Sequence, residues 1–116
     1  VACVQDTALM RRLSALRMPL TVCPLSNVRL CGVPHMAAHP ILKLLDAGIV
    51  ATVNSDDPAY FGGSINRNFE VVIDALLVTR EHLKTLALNG FEASFLGAEQ
   101  KSAFAERVQS FFAQIQ

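Results

Sequence analysis

The segment Val53-Asn54-Ser55-Asp56-Asp57-Pro58-Ala59-Tyr60-Phe61-Gly62-Gly63 sets two carboxylates side by side where an apolar run gives way to a glycine pair. Adjacent carboxylates repel, and in a dry pocket one of them protonates unless a cation or a proton donor compensates it. A divalent metal is the simplest compensation. Pro58 biases Asp57 toward extended backbone, where successive side chains point different ways, so Asp56 and Asp57 are expected to address different targets, one a metal and the other a substrate. From local pattern alone the pair serves equally well as an Asx turn and helix start that satisfies backbone N–H groups ahead of the glycines.

Other residue types with chemical potential carry weaker signals. His35 and His39 have the i, i+4 spacing of a zinc-binding helix face, but "HMAAH" lacks the general-base Glu of the metalloprotease signature, and both read as loop histidines. His82 falls in the first turn of an expected helix, on a solvated face, with no catalytic role. Gly62-Gly63 lacks the spacing and the Lys of a P-loop and reads as a tight, close-approach loop. Cys3, Cys23 and Cys31 are odd in number and widely spaced, fitting neither a disulfide framework nor a paired-cysteine zinc site; they read as small buried hydrophobes.

The elements that must position the aspartates follow from periodicity. Val1 to Val4 reads as the tail of a strand, and Asp6 as the N-cap of a helix bearing Leu9, Met10, Leu13 and Leu16, with Arg11, Arg12 and Arg17 outward. Leu20 to Cys23 is a second strand, closed by a turn at Pro24-Leu25-Ser26-Asn27. Pro40 suits the first turn of a helix through Leu45, which Gly48 stops. Ile49 to Val53 is continuous and β-branched, the pattern of a strand buried on both faces in a parallel sheet. Ser64 and Thr79 start two further helices, and a third places Phe104, Val108, Phe111, Phe112 and Ile115 on one face.

Alternation of strand and helix is the grammar of a parallel α/β protein, in which ligands bind at the C-terminal ends of the strands, where Asp56 and Asp57 stand. Three strands cannot complete such a sheet. Hydrophobic residues make up 52% of the chain and charged ones 17%, a dry composition for a domain this small, so further protein is expected to cover part of it. A chain that starts in mid-strand without Met reads as the C-terminal third of something larger. Ten basic and ten acidic residues leave no basic patch, so neither nucleic acid nor an anionic membrane is expected as partner. No run approaches the roughly 20 apolar residues of a membrane-spanning helix, and a cytoplasmic location is expected.

The segments "TVCPLSNVRL" and "HPILKLLDAGIVATVNSDDPAYFGG", with the helical tail, resemble the C-terminal part of the adenosine and adenine deaminase family. The resemblance spans nearly the whole chain. Its most specific elements are Asn54-Ser55-Asp56-Asp57-Pro58, at the end of the family's last barrel strand, and Cys23-Pro24-Leu25-Ser26-Asn27, at the end of the preceding one. It implies a TIM (β/α)8 barrel of which residues 1–116 are the C-terminal segment, with additional C-terminal helices and one domain shared with the remainder of the barrel. It further implies a zinc cofactor with Asp56 as its carboxylate ligand, and Asp57 as the residue that binds the purine near N7. The zinc-binding histidines, the proton-shuttling Glu and the catalytic His of the family fall upstream of Val1, so no catalytic residue is assigned in this chain.

The run from "CPLSNV" through "NSDDPAYFGG" is more similar to the adenine-specific branch, which implies zinc-dependent hydrolysis of adenine to hypoxanthine and ammonia in purine salvage. Deamination of adenosine to inosine on the same machinery is the nearest alternative. A non-catalytic α/β module that binds a partner protein through its apolar face is the alternative from another class.

Overall fold

The computed structural model describes residues 1–115. Among them, two strands, β1 (Leu20–Val22) and β2 (Ala51–Val53), pair in parallel with Leu20 opposite Ala51, Thr21 opposite Thr52 and Val22 opposite Val53. Every residue of β2 is buried, as its unbroken apolar and β-branched pattern requires. Parallel neighbours need a long connection. Here the chain passes from β1 to β2 through α2 (Pro24–Arg29), a 3-10 turn at Met36–Ala38 and α3 (Ile41–Asp46). A 3-10 turn at Ala2–Gln5 and α1 (Thr7–Ala15) precede β1; α4 (Pro58–Phe61), α5 (Ile65–Ala75), α6 (Arg80–Glu92) and α7 (Ala98–Gln114) follow β2.

The helix starts show how local chemistry sets the boundaries. Asp6 accepts from the Leu9 N–H at 2.9 Å and caps α1. At α6, Thr79 Oγ1 accepts from the His82 N–H while His82 Nδ1 accepts from the Thr79 N–H, a capping box with His in the place usually held by Glu or Gln. His82 is thus half-buried and structural rather than a solvated bystander. Gly48 takes φ +75°, the left-handed conformation that ends α3, and a Cβ there would lie 3.0 Å from Ser14 Oγ.

The core gathers around β2. Ile41 and Leu44 of α3, Val72 of α5 and Leu86 of α6 pack with Ile49, Ala51 and Val53, each nearly inaccessible to solvent. Asn89 of α6 donates to the Ala51 carbonyl at 2.9 Å, serving a strand carbonyl that the two-stranded ladder leaves open. Phe91 of α6 stacks on Phe104 of α7 with centroids 4.6 Å apart.

Four further expectations are corrected. Val1 to Val4 forms no strand among the described residues; the 3-10 turn occupies it instead. The stretch from Pro24 to Asn27 opens a helix rather than a turn, because Pro at the first helical position satisfies both descriptions until the backbone beyond it is held. The cysteines are not buried: Cys3 and Cys23 are half-buried and Cys31 is exposed. On α7, Phe104, Val108 and Phe112 are partly covered, whereas Phe111, and Ile115 just past the helix end, face solvent. Among the described residues no helix is long and apolar enough to cross a membrane.

Candidate active site

Both chemically loaded loops leave the C-terminal ends of the paired strands. The Asn54 N–H donates to the Val22 carbonyl at 2.8 Å, extending the ladder one step beyond β2. Asn54 Nδ2 then donates to Thr52 Oγ1 at 2.7 Å and reaches the Val22 carbonyl at 3.3 Å, while Thr52 Oγ1 donates to the Leu20 carbonyl at 3.2 Å. These side-chain bonds fasten β2 to β1 just below the aspartates.

Asp56 takes φ +55°, a left-handed conformation that Asp adopts more readily than most residues. The turn redirects the backbone and aims the carboxylate toward β1. There the buried Ser26, in the first turn of α2, donates its hydroxyl to Asp56 Oδ2 at 2.8 Å. Among the described residues no donor reaches Oδ1, and the residue is exposed. One oxygen is therefore fixed by protein and the other is open to a ligand. Burial pushes the nearby Cys23 thiol up, and the Asp56 carboxylate pushes it further, against a smaller opposing effect from the Asp56 backbone N–H. Cys23 stays a neutral thiol beside an anion.

Asp57 is extended, at φ −92° and ψ 101°, as its position before Pro58 dictates. Its Oδ1 accepts from the Tyr60 N–H at 3.0 Å and caps α4. The helix-start reading of this residue therefore holds, yet the cap uses one carboxylate oxygen and leaves the other available. The two aspartates do diverge: Asp56 turns toward α2, Asp57 toward its own helix. Tyr60 is exposed and meets Phe61 edge to face at 4.9 Å, just past the carboxylates.

The histidines stay apart from this site. His35 is exposed at the start of the 3-10 turn, whereas His39 is buried. His39 Nδ1 accepts from the Ile41 N–H at 3.2 Å, so Nε2 carries the proton and donates to Asn27 Oδ1 at 3.0 Å. With both ring nitrogens engaged it braces the loop instead of offering a ligand, and burial pulls its pKa down to about 4.

The donor set bears on the expected zinc. Among the described residues no three His, Cys, Asp or Glu side chains converge, and zinc takes three or four protein ligands. Asp56, with one free anionic oxygen at the mouth of a parallel sheet, suits one place in such a set and cannot make a centre alone.

Two residues of the site went unread in the sequence. Ser26 lies four positions beyond Val22 and Asp56 three beyond Val53, and the register sets those strand ends level. Parallel pairing, once assumed, would have brought them together. Asn68, fully buried on α5, accepts from the Leu25 N–H beside Ser26 at 3.1 Å and carried no local signal at all.

Two parallel β/α units presenting polar loops at the C-terminal ends of their strands form part of the site-bearing face of a TIM barrel. The chain belongs to the adenosine deaminase family, whose profile matches residues 1–111. It is 50% identical over 111 residues to an adenine deaminase of Hahella chejuensis, across 96% of this chain and 33% of that protein. It is 53% identical over 104 residues to an adenine deaminase of Acinetobacter baylyi, across 90% of this chain and 31% of that protein. The crystal structure of adenine deaminase from Arthrobacter aurescens superposes with a TM-score of 0.91 at 42% identity, covering 96% of this chain and 34% of that one. The chain spans about a third of the length of the curated relatives it matches. Its fold is that of the C-terminal part of a TIM barrel with additional helices, as the sequence led us to expect.

Proposed function

We propose that this chain is the C-terminal segment of a single metal-dependent hydrolase barrel that deaminates adenine to hypoxanthine and ammonia in purine salvage, with zinc as its cofactor. The observation that carries the reading is the Asp56 carboxylate, one oxygen held by Ser26 and the other free at the strand ends. Similarity to proteins named adenine deaminase favours adenine over adenosine. The remainder of the barrel would supply the zinc-binding histidines and the proton-transferring Glu and His.

Zinc, held in part by Asp56, would lower the pKa of a water so that a hydroxide nucleophile for C6 of the purine is available near neutral pH. Asp56 contributes an anionic ligand whose orientation Ser26 restricts. Asp57 holds the substrate. Free adenine can carry its mobile proton on N7, and the carboxylate oxygen of Asp57 not used by the Tyr60 cap accepts that N–H. A nucleoside has only a lone pair at N7, and a carboxylate has no hydrogen to donate to it. Tyr60 and Phe61 stand just past the carboxylates, where their bulk would disfavour a substrate larger than the free base.

The test is kcat/KM of the full-length enzyme for adenine, adenosine and 7-deazaadenine. Adenine is expected to be preferred. Faster turnover of adenosine would reverse the substrate assignment, and 7-deazaadenine matching adenine would remove Asp57 from N7 recognition.

A further inference from the structure

The loops after β1 and β2 are joined twice, once by Ser26 and Asp56 and once by Asn68. The Asn68 side chain is fully buried. Its Oδ1 accepts from the Leu25 N–H at 3.1 Å, while Nδ2 donates to the Ser64 carbonyl at 3.0 Å and reaches the Gly63 carbonyl at 3.4 Å. Leu25 is the second residue of α2, whose N-cap, Cys23, makes no side-chain capping bond. Asn68 therefore caps α2 from 43 residues away, satisfying an N–H that the helix cannot satisfy for itself. With its other end it grips the backbone that follows α4. The loops meet closely there: a Cβ on Gly63 would lie 2.8 Å from Leu25 Cδ1.

Ser26 follows Leu25 in the same helical turn, so whatever holds the Leu25 N–H also holds the backbone from which the Ser26 hydroxyl projects. We propose that Asn68 is a positioning residue for the Asp56 carboxylate, acting through the first turn of α2 and the Ser26 hydroxyl to keep Oδ1 turned toward the metal. This rests on Asp56 being a zinc ligand. Groups that orient a metal ligand typically change metal affinity or activity by about 10- to 100-fold when lost.

Asn68→Ser separates the two ends of the clamp. A helical Ser hydroxyl bonds the carbonyl four residues back, here that of Ser64, but is too short to reach Leu25. The measurement is the rate of zinc release to a chromogenic chelator from the full-length holoenzyme, with thermal unfolding followed in parallel. Asn68→Ser is expected to release zinc about tenfold faster, Ser26→Ala by a similar factor, and the double variant no faster than either alone. Asn89→Ser, which loses another buried amide without touching either loop, is expected to lower stability and leave zinc release unchanged. Wild-type release from Asn68→Ser, additive effects of the two variants, or fast release from Asn89→Ser would each overturn the proposal. Should Asn68→Ser fail to fold, Ser26→Ala carries the test: it leaves both ends of the Asn68 clamp in place and is expected to release zinc about tenfold faster, and wild-type release from it would overturn the proposal. A wild-type protein without zinc would overturn the metal assignment itself, and this role with it.

Discussion

The Ser26 hydroxyl donates to Asp56 Oδ2 across 2.8 Å, tying the loop after one strand to the loop after its parallel neighbour. The bond leaves Asp56 with a single free oxygen. Asp56→Ala removes both oxygens, and in the full-length enzyme zinc content and turnover are expected to fall together. Asn tolerates the left-handed backbone at this position better than Ala does, so Asp56→Asn isolates the loss of charge from backbone strain. Metal analysis of the purified variants decides the matter: full zinc with normal turnover would take Asp56 out of the ligand set.

Asp57→Asn is expected to behave differently. Asn is as good an N-cap as Asp, so the bond from the Tyr60 N–H should survive and α4 should stay in place. On the proposed role of Asp57, what disappears is a charge-assisted hydrogen bond to substrate worth roughly 1.5–3 kcal/mol, so kcat/KM for adenine should fall on the order of 10- to 150-fold with zinc retained. Zinc lost in step with activity would show that the two aspartates do not divide their tasks.

His39 makes stability depend on pH. Its pKa is pulled down to about 4 by burial, whereas in an unfolded chain it lies near 6.5. Between those values the unfolded state binds the extra proton, so stability is fully present above about pH 6.5, declines as pH falls toward 4 and changes no further below it. The difference amounts to about 3 kcal/mol at most. His39→Asn, whose side-chain oxygen can still accept from the Ile41 N–H, is expected to be weaker at pH 7.5 but to lose less between pH 7.5 and pH 4.5. Urea unfolding at both pH values tests this, and equal losses in the two proteins would exclude His39 as the source.

The two glycines after α4 are expected to fail for different reasons. Gly62 takes φ +79° with nothing near its missing Cβ, so Gly62→Ala costs about 1–2 kcal/mol of backbone strain alone. A Cβ on Gly63 would lie 2.6 Å from Arg67 Cγ, 2.8 Å from Arg67 Cβ and 2.8 Å from Leu25 Cδ1. Gly63→Ala therefore forces the start of α5 away from α2, an overpacking cost of about 1–3 kcal/mol, and should also speed zinc release. Melting curves with zinc-release rates separate the two; identical release from both variants would deny that the close approach at Gly63 matters to the site.

Short-range chemistry was legible in the residues themselves. Asp6 and Thr79 start helices because their side chains reach N–H groups three residues on, Gly48 ends one because it tolerates positive φ, and the apolar run into Val53 announces a strand buried on both faces. The position of the carboxylate pair at the end of that strand followed from the same run. What the local pattern left open was settled by partners far away in sequence. Val1 to Val4 has strand-forming residues but no strand beside it among the described residues, and it winds into a 3-10 turn. Pro24 suits a turn or a first helical residue equally; the Leu25 N–H, taken up by Asn68 from α5, accompanies the helical outcome. Asp56 and Asp57 could be recognised as a charged pair, but the divergence of their carboxylates depends on Ser26, 30 residues from Asp56, and on the left-handed turn that brings Ser26 and Asp56 together. A hydrogen bond spans about 3 Å whatever the separation along the chain, so its near partners can be read from sequence and its distant ones exist only once the strands have paired.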